Sequence, residues 1–347
     1  MRTELLLRNS RAQRSLTRRN VGEFFIVWRA DSALCALLWS AVAAVAVLTP
    51  RPALAQGANG WRETSFVPTP KGEWKGARLP DGQPDVSGHW SNTIGNHNNL
   101  TDPQGPLGGN DESATRGNGR RPEKPREDRA PSRVTDPPDG QVPLQPWARA
   151  KQQEFQKYLN DPIRPEYVEP FARCAPGGPT KSFEWHGYEI RQFPGYVVFL
   201  FDSGNRVIHL DGKPHLPANL KLWNGDSRGH WEGNTLVVDT TNNNSKARLG
   251  RSGEFVSENA TIVEHFVFDP KGERYTYDAT YTDPTVLTRP FTITIPNRRV
   301  TDKTPVDDWN NLTFLAKHAG SDPILEVYER VCVEGNGNHG QVAANAK

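Results

Sequence analysis

The sequence has few cysteines and none of the short motifs that mark common cofactor chemistry. Its three cysteines, Cys35, Cys174 and Cys332, form no C-x-x-C pair, so the closely paired thiolates of structural zinc sites are absent. The chain also lacks G-x-G-x-x-G, G-x-x-x-x-G-K-[ST], G-x-S-x-G, C-x-x-C-H and H-E-x-x-H. These absences exclude Rossmann cofactors, P-loop nucleotide hydrolysis, the standard hydrolase elbow, covalent haem and zincin chemistry. We therefore predict that the protein uses no cofactor and no metal.

The sequence carries no strong excess of one charge and no internal repeat. Its formal net charge is +2, which gives no reason to expect a nucleic acid as a partner. The basic stretch Arg116–Arg129 is interrupted by Glu123, Glu127 and Asp128, a pattern typical of a solvated linker. Nothing in the composition indicates an oligomeric state.

Residues 1–55 have the three parts of an export signal. An arginine-rich segment precedes the apolar run Ala33–Leu48, and the small-x-small sequence Ala53-Leu54-Ala55 follows it. The run is shorter than the roughly 20 residues that span a bilayer, so we expect cleavage and no transmembrane anchor afterwards. The sequence therefore predicts a protein of the periplasm or the extracellular medium.

Two cysteines, Cys174 and Cys332, remain once such a leader is removed. Disulfides persist in oxidising compartments outside the cytoplasm, so we predict a bridge between these two residues. The bridge would tie the entry of the strand-rich region to its exit. By chain-entropy reasoning, closing the long loop from Cys174 to Cys332 contributes roughly 4–5 kcal/mol to stability.

Composition divides the chain after the leader into three parts: 56–145, 146–335 and 336–347. We expect 56–145 to be irregular and partly disordered, with a short ordered motif at 79–92 that lies along the main body as an edge segment. Within it, Thr101–Pro143 is rich in Gly, Pro and charge and almost free of aromatics, a composition that cannot bury enough surface to stay folded. We expect a helix and a β-domain in 146–335 and a disordered tail in 336–347.

The β-domain is predicted from hydrophobic periodicity. A helix is predicted over Pro146–Asn160. Proline suits its first position, and one face of such a helix would carry Trp147, Phe155, Tyr158 and Leu159. From residue 183 the period becomes alternating, with short turns and no crossover helices. Eight strands are predicted: Gly187–Gln192, Tyr196–Asp202, Arg206–Leu210, Thr235–Thr241, Ala260–Asp269, Arg274–Asp283, Phe291–Ile295 and Ile324–Val331. We expect a single antiparallel β-barrel or strongly curved sheet of lipocalin-like type.

Several stretches, in order along the chain, resemble a family of secreted bacterial proteins without an established function. The stretches are DGQPDVSGHW, RCAPGGP, YEIRQFPGYVVFLF, LDGKPH, GHWEGNTLVVDT and YERVC. The resemblance covers Leu79–Trp90 and Cys174–Cys332, and it implies export and an order of motifs but no reaction. Family members often have Glu-Arg where this chain has Glu264-His265, and often an aromatic residue where it has His209.

Four residues are candidates for acid–base chemistry: Glu264, Asp239, His209 and His265. Glu264 alternates with apolar residues along its predicted strand, so it shares their face, and burial would raise the pKa of such a carboxyl toward that of a general acid or base. The alternative is an ion pair across the sheet, for example with Arg206 or Arg330. Asp239 ends an apolar run and could lie at a barrel mouth or cap a turn.

Aromatic residues could line an apolar cavity in the barrel, or they could simply form its core. The candidates are Tyr188, Trp185, Trp223 and Trp231. Three histidines with a carboxylate nearby, at 209, 215 and 230 with Asp211, could also bind a divalent ion. Their spacing matches no established metal motif, so we interpret them as scattered surface residues.

Three function classes remain open. The first is an exported, cofactor-free enzyme (an isomerase, a lyase or a hydrolase) that acts by acid–base chemistry on a small apolar or aromatic molecule in the barrel. The second is a lipocalin-like carrier in which the same barrel only holds its ligand. The third is an envelope-associated interaction protein. An enzyme requires Glu264 or Asp239 within hydrogen-bond reach of a histidine inside a cavity. A carrier is expected to have such carboxylates neutralised by arginine.

Overall fold

The computed structural model describes residues 67–92, 99–103, 130–159, 162–184, 187–201, 204–250 and 252–300. All of them belong to the unit Ala55–Lys347. The predicted export signal, Trp185, Cys332, the strand Ile324–Val331 and the tail lie outside these residues. Among the described helices, none is long and apolar enough to cross a membrane.

Within the described residues, ten strands and one α-helix make up the regular structure. The first two strands are β1 (Gly88–Asn92) and β2 (Val134–Asp136), and helix α1 (Pro146–Lys157) follows them. The other strands are β3 (Tyr188–Phe193), β4 (Tyr196–Phe201), β5 (Gly204–His209), β6 (Asp226–Glu232), β7 (Thr235–Thr241), β8 (Thr261–Phe268), β9 (Arg274–Thr282) and β10 (Phe291–Arg299). Three short 3₁₀ turns lie between α1 and β3, at Pro165–Tyr167, Pro170–Arg173 and Lys181–Glu184.

Nine of these strands close into a barrel. Strands β3 to β10 pair in sequence order, and β1 pairs with both β3 and β10. Strand β10 accommodates two neighbours on one edge: β1 pairs with residues 297–299 and β2 with residues 292–293. All neighbours are antiparallel except β5 and β6, which are parallel and share two residue pairs. The predicted class, a mainly β chain with a lipocalin-like barrel and one helix, is confirmed.

Alternation along each strand fills the barrel interior. In β9 the inward residues are Tyr275, Tyr277, Ala279 and Tyr281, which are all buried. In β7 the buried residues Leu236, Val238 and Thr240 alternate with more exposed ones. Because successive side chains of a strand point to opposite faces, every second side chain points into the barrel and those between them point outward.

The centre of the barrel is occupied by the chain itself. The 3₁₀ turn Lys181–Glu184 places the ring of Phe183 among five aromatic rings, with centroid distances from 4.7 Å for Tyr277 to 5.6 Å for Phe266. The side-chain amide of Asn92 on β1 donates to the Phe183 carbonyl. The interior is therefore a packed core and not an open chamber.

Residues before β1 lie against one end of the barrel. The side chain of Asn234, in the β6–β7 turn, accepts from Gly72 N at 2.7 Å and donates to the carbonyls of Pro70 and Phe268. Gly233 in the same turn has a φ of 59°, and a Cβ there would lie 2.1 Å from the Gly72 carbonyl oxygen. Only a residue without a side chain fits this close approach.

Two segments differ from the sequence-based expectation. Strand β1, expected to lie along the edge of the main body, instead closes the barrel. Residues 130–143, part of a stretch expected to be disordered, contain β2 and bury Val134 and Val142. Both segments are too short to show a strand period, and their partners are distant in sequence, so neither pairing is visible locally.

Helix α1 ends at Lys157, three residues before the predicted end, and buries a different face. Its buried residues are Ala148 and Gln152, whereas Trp147 is 53% exposed. The Gln152 amide donates to the Glu254 carboxyl at 3.1 Å and to the Ser252 carbonyl at 3.3 Å. Phe155 instead contacts Phe255 and Tyr167 at ring distances of 5.8 Å.

Candidate functional site

Glu264 lies inside the barrel and is neutralised there by Arg206. Its side chain is 0% exposed, and that of Arg206 is 2% exposed. The Arg206 guanidinium donates to both carboxylate oxygens, at 2.7 Å to Oε1 and through a shorter contact to Oε2. Tyr277 donates to Oε1 at 2.7 Å and Thr240 to Oε2 at 2.8 Å. The ion pair that the sequence left open as an alternative is therefore present, with Arg206 as the partner.

The ion pair is part of a polar network that crosses the barrel. Arg206 also donates to Ser227 Oγ at 2.9 Å, and Ser227 and Thr240 share a hydrogen bond of 3.0 Å. Thr180 bonds Tyr277 at 3.0 Å and also bonds Tyr281. Burial lowers the pKa of Arg206, but the attraction of Glu264 outweighs it and raises that pKa above its ordinary value. The network therefore keeps both charges in place.

Tyr188 belongs to a second buried cluster. Its hydroxyl donates to Asn297 Oδ1 at 2.8 Å and bonds the hydroxyl of Tyr275. Burial raises the pKa of Tyr188 well above its ordinary value, and the neighbouring Tyr275 adds to the effect. This candidate ligand-binding residue thus has its polar atom satisfied within the core.

The other three acid–base candidates lie away from Glu264. Asp239 is exposed on β7. It lies between the inward residues Val238 and Thr240, so its side chain is on the outer face of the strand. His265 is half-buried beside Asp278, its cross-strand neighbour on β9. Burial, together with Lys71, lowers the pKa of His265, while nearby carboxylates partly oppose that shift. His209 ends β5 with its ring 5.2 Å from that of Tyr196.

The histidines considered as metal ligands are dispersed. His215 Nδ1 lies 2.9 Å from Asp226 Oδ2, and Arg228 bonds both Asp226 and Asp211. His230 Nε2 lies 3.0 Å from the exposed Glu232. In the part of the chain that the structure describes, no group of three His, Cys, Asp or Glu side chains could hold a metal ion.

Glu184 is a buried carboxyl that no sequence pattern indicated. It is 1% exposed, and neither of its oxygens has a hydrogen-bond partner among the described residues. Burial raises the pKa of Glu184 well above its ordinary value; Arg133 lowers it and Glu254 raises it further. Because Glu184 follows directly on Phe183, the turn that fills the barrel also takes this carboxyl out of water.

The two remaining described tryptophans have different surroundings. Trp231 packs against Phe268 at 5.9 Å, and its indole N–H lies 3.4 Å from Gln83 Oε1. Trp223 is half-buried and lines a recess in the barrel domain. This tryptophan is therefore the candidate ligand-binding residue that the structure places beside open space.

The recess is lined mostly by apolar atoms. Its cavity volume is about 20 Å³, which is room for one water-sized group. It is lined by Gly177, Gly178, Pro179, Thr180, Lys181, Trp223, Asn243, Ala247, Arg248, Leu249, Val256, Ile262 and Tyr281. Thr180 and Tyr281 connect this lining to the Arg206–Glu264 network. Sequence reasoning found Trp223 here but missed the hydroxyls and Arg248, because they come from separate segments.

Comparison with protein-family models, with curated proteins and with solved structures finds no match for this chain.

Proposed function

We propose that the protein is a non-catalytic binder of a small apolar or aromatic molecule, which it holds at the recess beside Trp223 and not inside its packed barrel. The observation that carries this proposal is the recess beside Trp223, which offers apolar contact surface together with a few polar groups. Small-molecule sites are commonly built in this way, from mostly apolar walls with a small number of placed polar atoms. A water-sized group of the ligand fills the recess, and its apolar part lies across the opening against Trp223.

The placement of the carboxylates favours binding over catalysis. Glu264, the best candidate for a general base, is held by Arg206 inside a packed core. Asp239 is exposed, and His209 and His265 lie on or near the outer surface of the strands. General acid–base catalysis needs its groups within hydrogen-bond reach of one substrate, and these four residues do not converge. A carrier needs no such convergence.

Export and family membership belong to the same proposal. The leader at residues 1–55 supports a periplasmic or secreted location, and such an oxidising compartment would allow Cys174 to form a disulfide. Pairing of Cys174 with Cys332 rests on the cysteines that remain after the leader, and membership of the secreted bacterial family rests on the sequence motifs.

The proposal is tested by mass spectrometry of small molecules that co-purify with the protein from its native host. We expect a bound compound in the wild-type protein and in Phe193→Ala, a matched removal of an exposed aromatic ring outside the recess. Trp223→Ala should lower the affinity for the compound at least about tenfold, because burying a large apolar side chain contributes on the order of 1.5–3 kcal/mol, and less compound should then be recovered. No bound compound, or equal losses in both variants, would contradict a ligand site at Trp223.

A further inference from the structure

Residues 177–184, which we call the plug segment, run from the recess into the centre of the barrel. The first five of them, Gly177 to Lys181, line the recess. The turn Lys181–Glu184 then carries Phe183 into the cluster of five aromatic rings and ends at the buried carboxyl of Glu184. One short stretch of chain therefore forms a wall of the recess and also fills the barrel.

Polar contacts hold the plug segment everywhere except at its end. The hydroxyl of Thr180 shares a hydrogen bond of 3.0 Å with that of Tyr277, and the buried Lys181 pairs with Glu169. Glu184 is buried as deeply as these residues, but among the described residues neither of its oxygens has a hydrogen-bond partner. A carboxylate without hydrogen bonds is strongly disfavoured away from water. The closed position of the plug segment therefore favours the neutral form of Glu184.

Four other ionisable side chains among the described residues act on the Glu184 carboxyl. Lys181 belongs to the plug segment, Arg133 precedes β2, Glu254 lies between β7 and β8, and Tyr281 is on β9. The loss of water raises the pKa of Glu184 well above its ordinary value of 4.5; Glu254 adds to this shift, and the two cations only partly oppose it. Ionisation is therefore easier when the side chain reaches water than when it stays in the barrel.

We propose that Glu184 is a pH-sensitive latch on the plug segment, and that its ionisation releases residues 181–184 from the barrel and exposes the aromatic interior. Opening brings the carboxylate into water and takes the ring of Phe183 out of its cluster. Gly177 and Gly178 precede the moving residues, and Gly178 has a φ of 89°, so the backbone can rotate there without a side chain in the way. Loss of a recess wall on opening matters to a ligand only under the proposed function, whereas the latch itself does not depend on that function.

Amide hydrogen exchange on the full chain without ligand measures this opening. The closed state is fully stable below about pH 4.5, the ordinary pKa of the side chain, and loses stability as pH rises toward the pKa of Glu184 in the closed state. Between these two pKa values opening releases one proton, so the opening equilibrium constant should rise about tenfold per pH unit. After correction for intrinsic exchange rates, we expect this slope at the amides of residues 181–184, while the amides of β9 stay protected.

Variants assign the slope to one carboxyl. Glu184→Gln and Glu184→Met both remove the titrating group, so in either variant the opening constant should not change with pH, and the second serves if the first does not fold. Asp211→Asn should keep the wild-type slope, because a hydrogen bond from the backbone N–H of Lys213 already holds the pKa of Asp211 below its ordinary value. A wild-type protein without the slope, or Glu184 variants that keep it, would overturn the latch. An equal slope at the β9 amides would also overturn it, since the event would then be global unfolding.

Discussion

Substitution of Glu264 by glutamine would test whether the buried ion pair holds the barrel together. The change keeps the shape of the side chain and removes its charge. Arg206, 2% exposed, would then be a buried cation without a counter-charge, and the new amide would place an N–H group against the N–H donors of the guanidinium. Breaking one half of a buried pair costs about 3–5 kcal/mol. A domain of this size loses roughly 2–4 °C of melting temperature per kcal/mol, so we expect a fall of about 6–20 °C.

The assay is urea and thermal unfolding followed by near-ultraviolet circular dichroism, since the core aromatics report on packing around Phe183. Glu232→Gln is the matched control, because Glu232 is 59% exposed and pairs with an exposed histidine. We expect its effect to lie within about 0.5 kcal/mol. The double variant Arg206→Met with Glu264→Leu should lose less stability than Glu264→Gln alone, since apolar replacement of both partners removes the uncompensated charge. A Glu264→Gln protein within about 1 kcal/mol of wild type would refute this reasoning.

Two further substitutions test other features of the core. Glu184 has a folded-state pKa raised above its ordinary value of 4.5, so the stability that its protonated form contributes is complete below about pH 4.5 and is lost as pH rises through the folded pKa. The stability of Glu184→Gln relative to wild type should therefore increase from pH 4 to pH 8 in urea titrations; a constant difference would contradict the burial argument. Gly233→Ala should cost about 2–4 kcal/mol, because it adds a clash with the Gly72 carbonyl to the strain of a positive φ. Gly195 has a φ of 81° and open space where a Cβ would be, so Gly195→Ala should cost about 1 kcal/mol of stability. Equal losses of stability at the two glycines would exclude the Gly72 contact as the cause.

Much of the barrel could be predicted because most strands alternate between apolar and polar residues. Strands β3, β4, β5, β7, β8 and β9 both begin and end within two residues of the predicted bounds, and β10 begins at the predicted residue but runs four residues further. Strand β6 was missed because its sequence, DSRGHWE, carries a single apolar residue. Its inward positions include Ser227, a partner of Arg206, and polar partners of this kind leave no hydrophobic period.

Alternation along the strands also predicts which of the candidate site residues point into the barrel. Glu264 was correctly placed on the buried face of its strand, and Arg206 was one of two arginines considered as its partner. The same parity puts His265 and Asp239 on the opposite face from Glu264 and Val238, so the three could not converge inside one barrel. The choice between Arg206 and Arg330, and the position of Trp223 beside Arg248, depend on contacts between segments distant in sequence. No local pattern reports such contacts.

The position of the ion pair explains why a charge lies in an otherwise aromatic core. Strands β5 and β6 are parallel and share two residue pairs, whereas β6 and β7 share seven. This seam therefore has few backbone hydrogen bonds to hold it. Arg206 on β5 bonds Ser227 on β6, Thr240 on β7 and Glu264 on β8. One side chain thus spans the barrel junction that has the fewest residue pairs and links β5 to the three strands beyond it. A hydrophobic residue at 206 could fill the same volume, but it would not specify which residues of β6, β7 and β8 lie opposite.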